Sequence, residues 1–187
     1  PKPRIEVNGL TVRSIDGILK LQDVSFTAMS GEILGIAGIS GSGQKELLEA
    51  IAGLQPVESG SICYIEDDGT RDELLGKDPL SIAELGVSLS FVPEDRLGMG
   101  LVGGMDLSDN MMLRSFRKGK NFFTDRKGPR SLAKRVVEEL NVKTPSIETP
   151  VRKLSGGNVQ KVLVGREIAS APKVLLTAYA VRGLDIN

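Results

Sequence analysis

The first third of the chain alternates between hydrophobic and polar positions, which is the pattern of half-buried β-strands. Residues 4–12 (RIEVNGLTV) and 22–29 (QDVSFTAM) both alternate, and Asn8-Gly9 predicts a turn within the first of them. Residues 32–38 (EILGIAG) form a short apolar run that is bounded by glycine. This run predicts a buried strand.

Further along the chain, apolar runs and helical spacing succeed one another. Strands are predicted at residues 59–66, from Val87 and at 173–180, and helices at 44–54, 81–86, 131–140, from Ser108 and from about Asn158. Gly53 is expected to end the first helix, and Ser81 with Glu84 predicts a capping box. The alternation predicts an α/β fold with a parallel core sheet, an antiparallel N-terminal sheet and a helical subdomain near residues 106–153.

Composition excludes several classes of site. The 187 residues are 40% hydrophobic, enough for the core of one domain or slightly more. Lys and Arg total 24 and Asp and Glu total 24, so no net charge steers the chain to nucleic acid or anionic lipid. Cys63 is the single cysteine, which excludes an internal disulfide and fits a reducing compartment. The sequence has no histidine, which argues against serine-protease, papain-like and zinc-hydrolase sites.

Residues 38–45 (GISGSGQK) have the glycine spacing of a phosphate-binding loop, between a predicted strand and a predicted helix. Glycines let the backbone wrap closely around phosphate groups, and the following helix N-terminus adds positive partial charge. Gln44 stands where the lysine of such a loop belongs, and Lys45 stands where a serine or threonine belongs. The candidate nucleotide-binding residues are Gly38, Ser40, Gly41, Ser42, Gly43, Gln44 and Lys45.

A second glycine motif makes the interpretation of the first one more specific. Residues 154–161 (LSGGNVQK) are followed by an apolar strand and then by residues 182–185 (RGLD). In this order the motifs make the chain similar to the ATP-binding domains of ABC transporters over essentially its whole length. The resemblance implies an ABC-type P-loop NTPase fold and a single domain over residues 1–187. It also implies that the domain is incomplete at its C-terminus, and the start without Met suggests a piece of a longer chain.

The resemblance assigns a role to each motif. Residues 38–45 correspond to the Walker A loop, residues 173–180 to Walker B and Asp185 to the D-loop. The signature motif would contact the γ-phosphate of ATP that a partner half holds, together with Mg²⁺ in that partner's site. Its residues are Leu154, Ser155, Gly156, Gly157 and Asn158.

Residues 91–102 (FVPEDRLGMGLV) make the resemblance more specific to one group within the family. They stand where other members of the family have a glutamine-containing loop. The chain looks like the second ATPase half of bacterial importers for simple sugars and nucleosides. The implied partners are the other ATPase half, membrane permease subunits near Glu94 and Asp95, and indirectly an extracellular solute-binding protein. The implied location is peripheral, on the cytoplasmic face of the bacterial cell membrane. A nucleic-acid partner is not expected, because basic and aromatic residues are not interleaved.

The catalytic positions depart from the family pattern. Ala178 and Tyr179 stand where Walker B carries its Asp and Glu. Gln44 is neutral and shorter than the lysine that balances phosphate charge, and Lys45 has no hydroxyl for Mg²⁺. The Lys45 ammonium is expected either near the vacant metal position or in solvent. These departures predict a degenerate site without catalytic residues or a metal of its own, so that ATP hydrolysis belongs to the whole transporter.

Other interpretations stay open at this point. The chain could be a non-catalytic interaction module on the same fold. An independent phosphotransferase is disfavoured by Gln44 and by the lack of a candidate base. Each motif also has a purely structural interpretation: Ser155 or Asp185 as a helix cap, and Glu94 with Asp95 as a solvated loop.

Overall fold

Two units, Pro1–Leu89 and Ser90–Asn187, divide the chain in a computed structural model that describes residues 1–85, 87, 89–115 and 126–178. β-Strands dominate the described part of the first unit, and helices dominate that of the second. In these described ranges, no helix combines the length and the apolar character that crossing a bilayer requires.

A four-stranded antiparallel sheet forms the framework of the first unit. Its strands, in the spatial order β2-β1-β3-β4, are β1 (Pro3–Arg13), β2 (Leu19–Met29), β3 (Ser59–Ile65) and β4 (Arg71–Glu73). The side chains of the two central strands that are at most 1% exposed are Val7, Leu10, Val12, Ile62 and Tyr64. The predicted antiparallel N-terminal sheet is therefore confirmed.

Gly9 lies inside β1, so the predicted turn at Asn8-Gly9 is wrong. The chain stays paired with both neighbouring strands, and the register shifts around this position against each of them. Gly9 takes φ of +58°, and its N–H donates to Ser25 Oγ at 2.8 Å. The extra residue is absorbed as a β-bulge because strands on both sides hold the chain in the sheet.

Helix α1 (Gln44–Ile51) follows the glycine-rich loop. It buries Leu47 and Ile51, and Gly53 lies just beyond its C-cap, where the sequence predicts that the helix stops. Gly53 has φ of +76°, and the next N–H bonds back to the carbonyl of Glu49 at 2.8 Å. This left-handed residue closes the last turn in the manner of a glycine C-cap.

Helix α2 (Pro79–Glu84) begins earlier than the capping box predicted. Asp78 is its N-cap, and Asp78 Oδ1 accepts hydrogen bonds from the N–H groups of Leu80 and Ser81 at 2.8 and 2.9 Å. The predicted capping box of Ser81 with Glu84 is therefore wrong. Pro79 explains the difference, because its fixed φ favours the first helical position and places the cap before it.

Residues 32–38 do not form the buried strand that their composition predicts. Strands β1 to β4 make up the sheet of this unit, and this run is not one of them. Ile33 is 101% exposed, and Leu34 and Ile36 are also exposed. An apolar run gives the tendency to be buried, but only a pairing strand converts it into sheet.

The described part of the second unit contains two paired strands and three longer helices. The elements are β5 (Leu89–Val92), α3 (Leu107–Ser115), α4 (Lys127–Glu139), α5 (Gly156–Ala169) and β6 (Val174–Thr177), with a π-helical turn at Arg96–Gly100 and a 3-10 turn at Val151–Lys153. Ala178 directly follows β6, and its N–H donates to the carbonyl of Val92 at 2.9 Å. The parallel core sheet and the limits of a helical subdomain at residues 106–153 stay predictions.

Helices α3, α4 and α5 share one hydrophobic core. Its fully buried members include Leu107, Ala133, Val151, Val162 and Leu163. Helix α4 packs closely against α5 at Gly165, where an added Cβ would lie 2.6 Å from Val136 Cγ1. This packing fixes α5, and the LSGGN motif lies at the start of that helix.

Candidate functional site

The phosphate-loop segment (residues 38–45) leads into α1 with the backbone geometry that its glycines permit. Gly41 and Gly43 have φ of +83° and +98°, in the left-handed region that other residues rarely adopt. A Cβ on Gly43 would also lie 2.5 Å from the carbonyl oxygen of Lys20. Glycine at position 43 is therefore required both by its conformation and by a close approach to β2.

The side chain of Gln44 folds back into the phosphate-loop segment. A Cβ on Gly38 would collide with the Gln44 amide nitrogen and would lie 2.5 Å from Ser42 Oγ. Ser42 Oγ is itself 2.7 Å from the carbonyl oxygen of Ile39 and 3.0 Å from Gln44 Oε1. The Ser42 and Gln44 side chains thus lie against the backbone of their own loop.

Lys45 points along the surface of α1. Its side chain is 56% exposed, and Nζ lies 3.9 Å from Glu49 Oε1, one helical turn further on. Burial raises the pKa of Glu49, and the nearby Lys45 ammonium counteracts this effect by lowering it. The structure thus places the Lys45 charge beside Glu49 on the helix surface.

The signature segment (residues 154–158) forms the N-terminus of α5. Ser155 is the N-cap, with extended backbone, and the helix begins at Gly156, before the predicted start near Asn158. Ser155 Oγ accepts hydrogen bonds from Asn158 Nδ2 at 2.8 Å and from the Asn158 N–H at 3.4 Å. Serine at this position begins the helix early because its side chain satisfies an N–H of the first turn.

Asn158 connects Ser155 to the preceding loop. Its Oδ1 accepts a hydrogen bond from the Lys143 N–H at 2.9 Å, while its Nδ2 donates to Ser155 Oγ. Since Ser155 Oγ accepts from Asn158, its own hydroxyl proton remains to donate to an external acceptor. Ser155 and Gly156 are exposed at the positive end of the helix dipole, which is an arrangement that suits an anion.

The charged segment (Glu94, Asp95 and Arg96) lies beside the signature segment. Asp95 Oδ1 accepts a hydrogen bond from the Gly98 N–H at 2.8 Å and caps the π-helical turn. Arg96 Nη1 donates to the carbonyl oxygen of Gly156 at 2.9 Å. The two segments line an open groove of about 500 Å³.

Sequence reasoning singled out Glu94 and Asp95 but missed Arg96. The only sequence signal at Arg96 was its place in a run of three charges, and a solvated loop produces the same signal. One of its partners is a backbone carbonyl 60 residues away, which no side-chain pattern identifies.

Ala178 occupies the position predicted for the Walker B aspartate. It is 8% exposed, and its methyl group offers no oxygen to a metal or to water. Tyr179 and Asp185 lie outside the described residues. In the part of the chain that the structure describes, no group of three or more acidic or cysteine side chains could hold a metal ion.

Comparison with known proteins gives one consistent result. A family model described as ABC transporter matches residues 21–177. The chain is 36% identical over 186 residues to the guanosine import ATP-binding protein NupO of Bacillus subtilis, covering 98% of this chain and 35% of that protein. It is 37% identical over 186 residues to a ribose import ATP-binding protein of Rubrobacter xylanophilus, with the same coverage of 98% and 35%. The chain therefore spans about a third of the length of these relatives.

Solved structures share the fold. A dimeric ATP-binding cassette in a post-hydrolysis state, bound to ADP and Pi, matches with a TM-score of 0.80 and 21% identity, over 97% of this chain and 76% of that one. A second dimeric structure of a bacterial ABC transporter cassette matches with a TM-score of 0.78 and 22% identity, with the same coverage of 97% and 76%. At these identities the likeness shows the fold alone.

Proposed function

The chain belongs to the ABC transporter family as an ATP-binding domain, and we propose that it is one half of an asymmetric ATPase pair. In this pair, its signature segment binds ATP that the other half holds. The observation that carries the proposal is the exposed Ser155 hydroxyl at the N-terminus of α5, oriented by Asn158. The hydroxyl proton, the first N–H groups of α5 and the helix dipole all favour a phosphate group there.

The chain's own nucleotide site is proposed to be degenerate. The Gln44 amide lies in the phosphate-loop segment without the charge of a lysine. Lys45 lies beside Glu49, and Ala178 supplies no carboxylate. Since these residues do not fit Mg²⁺, we propose that Mg²⁺ and the hydrolytic step belong to the other half's site.

The proposed role in transport is solute import. Relatives that cover almost all of this chain are named as guanosine, nucleoside and ribose import ATP-binding proteins. By this likeness we propose a simple sugar or a nucleoside as the solute. The proposed partners are the other ATPase half, permease subunits near Glu94 and Asp95, and indirectly an extracellular solute-binding protein, with the chain peripheral on the cytoplasmic face of the membrane.

The test is ATP hydrolysis by the chain alone and by the chain together with its other half, as wild type and as Ser155→Arg. The chain alone is expected to be inactive, and the pair to be active. Ser155→Arg fills the exposed cap with a large side chain and removes the hydroxyl, so the activity of the pair should fall at least about 100-fold. The matched control is Ser131→Arg, an exposed serine on α4, which should leave the activity unchanged.

Two results would contradict the proposal. Turnover by the chain alone would mean that Gln44 and Lys45 support hydrolysis. An active pair that is indifferent to Ser155→Arg would favour the alternative, a non-catalytic interaction module on an ABC-type fold.

A further inference from the structure

Arg96 is a cation beside the N-terminus of α5, the end of a helix where a positive charge is unfavourable. Positive side chains stabilise a helix near its C-terminus and destabilise it near its N-terminus. Arg96 Nη1 nevertheless bonds to the carbonyl of Gly156, the first residue of α5. Helix stability alone therefore does not account for this placement.

The turn that carries Arg96 is attached to α5 at both of its ends. At one end Arg96 bonds to Gly156, and at the other end Arg166 Nη2 donates to the carbonyl of Gly100 at 2.7 Å. Arg166 is 7% exposed and is held in turn by Glu167, through a hydrogen bond of 3.0 Å. The end at Arg166 is thus a buried anchor, and the end at Arg96 is accessible to solvent.

The turn itself is internally fixed. Asp95 Oδ1 accepts the Gly98 N–H, and the N–H of Leu101 bonds to the carbonyl of Arg96 at 2.7 Å. A Cβ on Gly100 would lie 2.8 Å from Leu163 Cδ2, so the turn packs directly against α5. Glu94 and Asp95 directly precede Arg96, so this fixed turn joins the charged segment to the Gly156 carbonyl.

We propose that Arg96 is a positioning residue for the signature segment. It holds the Gly156 carbonyl and so keeps the N-terminal turn of α5 in the conformation that binds phosphate. It also makes the charged segment and the signature segment respond to each other. This inference rests on the proposed function, since it assigns a role within the same site.

The first test measures the link itself and needs no activity. Hydrogen exchange at the Asn158 and Val159 amides is compared between Arg96→Ala and Arg152→Ala, because Arg152 is an exposed arginine just before the signature segment. Loss of a bond from a charged donor should speed exchange about tenfold in Arg96→Ala and leave Arg152→Ala like wild type. Equal exchange in the two variants would overturn the inference.

The second test uses the chain paired with its other half in the full transporter. Arg96→Ala should raise KM for ATP about fivefold while the melting temperature stays that of wild type, and Arg96→Lys should recover part of the loss. A merely structural role would lower the melting temperature and leave KM in place, and that result would overturn the inference. Ser155→Arg serves as the reference: if it lowers activity while Arg96→Ala matches Arg152→Ala, the inference fails and the proposed function stands.

Discussion

The phosphate-loop segment and the signature segment are both glycine-rich turns that lead into a helix, yet they present different surfaces. The first caps α1 with Gly43, a left-handed residue without a side chain, and turns the Gln44 amide inward. The second caps α5 with Ser155, whose hydroxyl is exposed and oriented by Asn158. Glycine spacing gives a turn its shape, while the few polar side chains decide whether the turn can receive an anion.

The largest expected effect comes from substitutions that make the phosphate-loop segment more like a complete phosphate loop. Gln44→Lys with Lys45→Thr supplies a charged donor and a hydroxyl, so ATP affinity of the isolated chain should rise about 10-fold to 100-fold. Hydrolysis should stay undetectable because Ala178 still lacks a carboxylate. Isothermal titration calorimetry measures the affinity, with Gln22→Lys on the exposed face of β2 as the control for added charge. An unchanged affinity would show that the side chains at positions 44 and 45 do not cause the difference in phosphate binding between the two segments.

The next prediction concerns the support of the signature segment. Gly165→Ala brings a Cβ to 2.6 Å from Val136 Cγ1 and 2.9 Å from Leu140 Cδ1. The overpacking should lower the free energy of unfolding by about 1–3 kcal/mol, despite the better helix propensity of alanine. Urea denaturation measures the change. The matched control is Gly128→Ala on α4, where a Cβ meets nothing within 4 Å and stability should hold or rise.

These contacts also show how far the sequence alone could lead. The cap at Ser155 and the stop at Gly53 were predictable because local backbone chemistry decides them. The turn at Gly9 was wrong because two neighbouring strands, distant in sequence, keep that residue in the sheet. The prediction of a strand at residues 32–38 was wrong for a similar reason, because a strand forms only where another strand pairs with it.

The candidate site also has features that the sequence predicted and features that it did not. Glycine motifs identified both segments, because the residue types that shape such turns are few. The inward Gln44 amide, the Lys143–Asn158 bond and the Arg96–Gly156 bond were not predictable. The two bonds each join a side chain to a backbone group that is distant in sequence, and the direction of the Gln44 amide depends on how the loop folds.

The smallest prediction sharpens the interpretation of Lys45. Lys45→Met removes the charge that lowers the pKa of Glu49, so this pKa, already raised by burial, should rise further. A carboxyl whose pKa is raised in the folded state makes stability fall as pH increases from its unfolded pKa to its folded pKa. In Lys45→Met this fall should therefore extend to higher pH.

NMR titration of the Glu49 carboxyl checks the shift, with the exposed Lys134→Met on α4 as the control. ATP affinity of the chain should change less than about twofold, because the exposed Lys45 side chain pairs with Glu49 one turn further along α1. A large loss of affinity would instead place the Lys45 ammonium at the phosphates.

The most direct test of the difference between the two segments is the number of ATP molecules bound per pair of halves. Equilibrium dialysis is performed on the whole transporter under conditions that block hydrolysis, at ATP concentrations that fill only tight sites. One tightly bound ATP per pair, released by Ser155→Arg, is the predicted result. Two tightly bound ATP molecules, or one that persists in Ser155→Arg, would contradict the account.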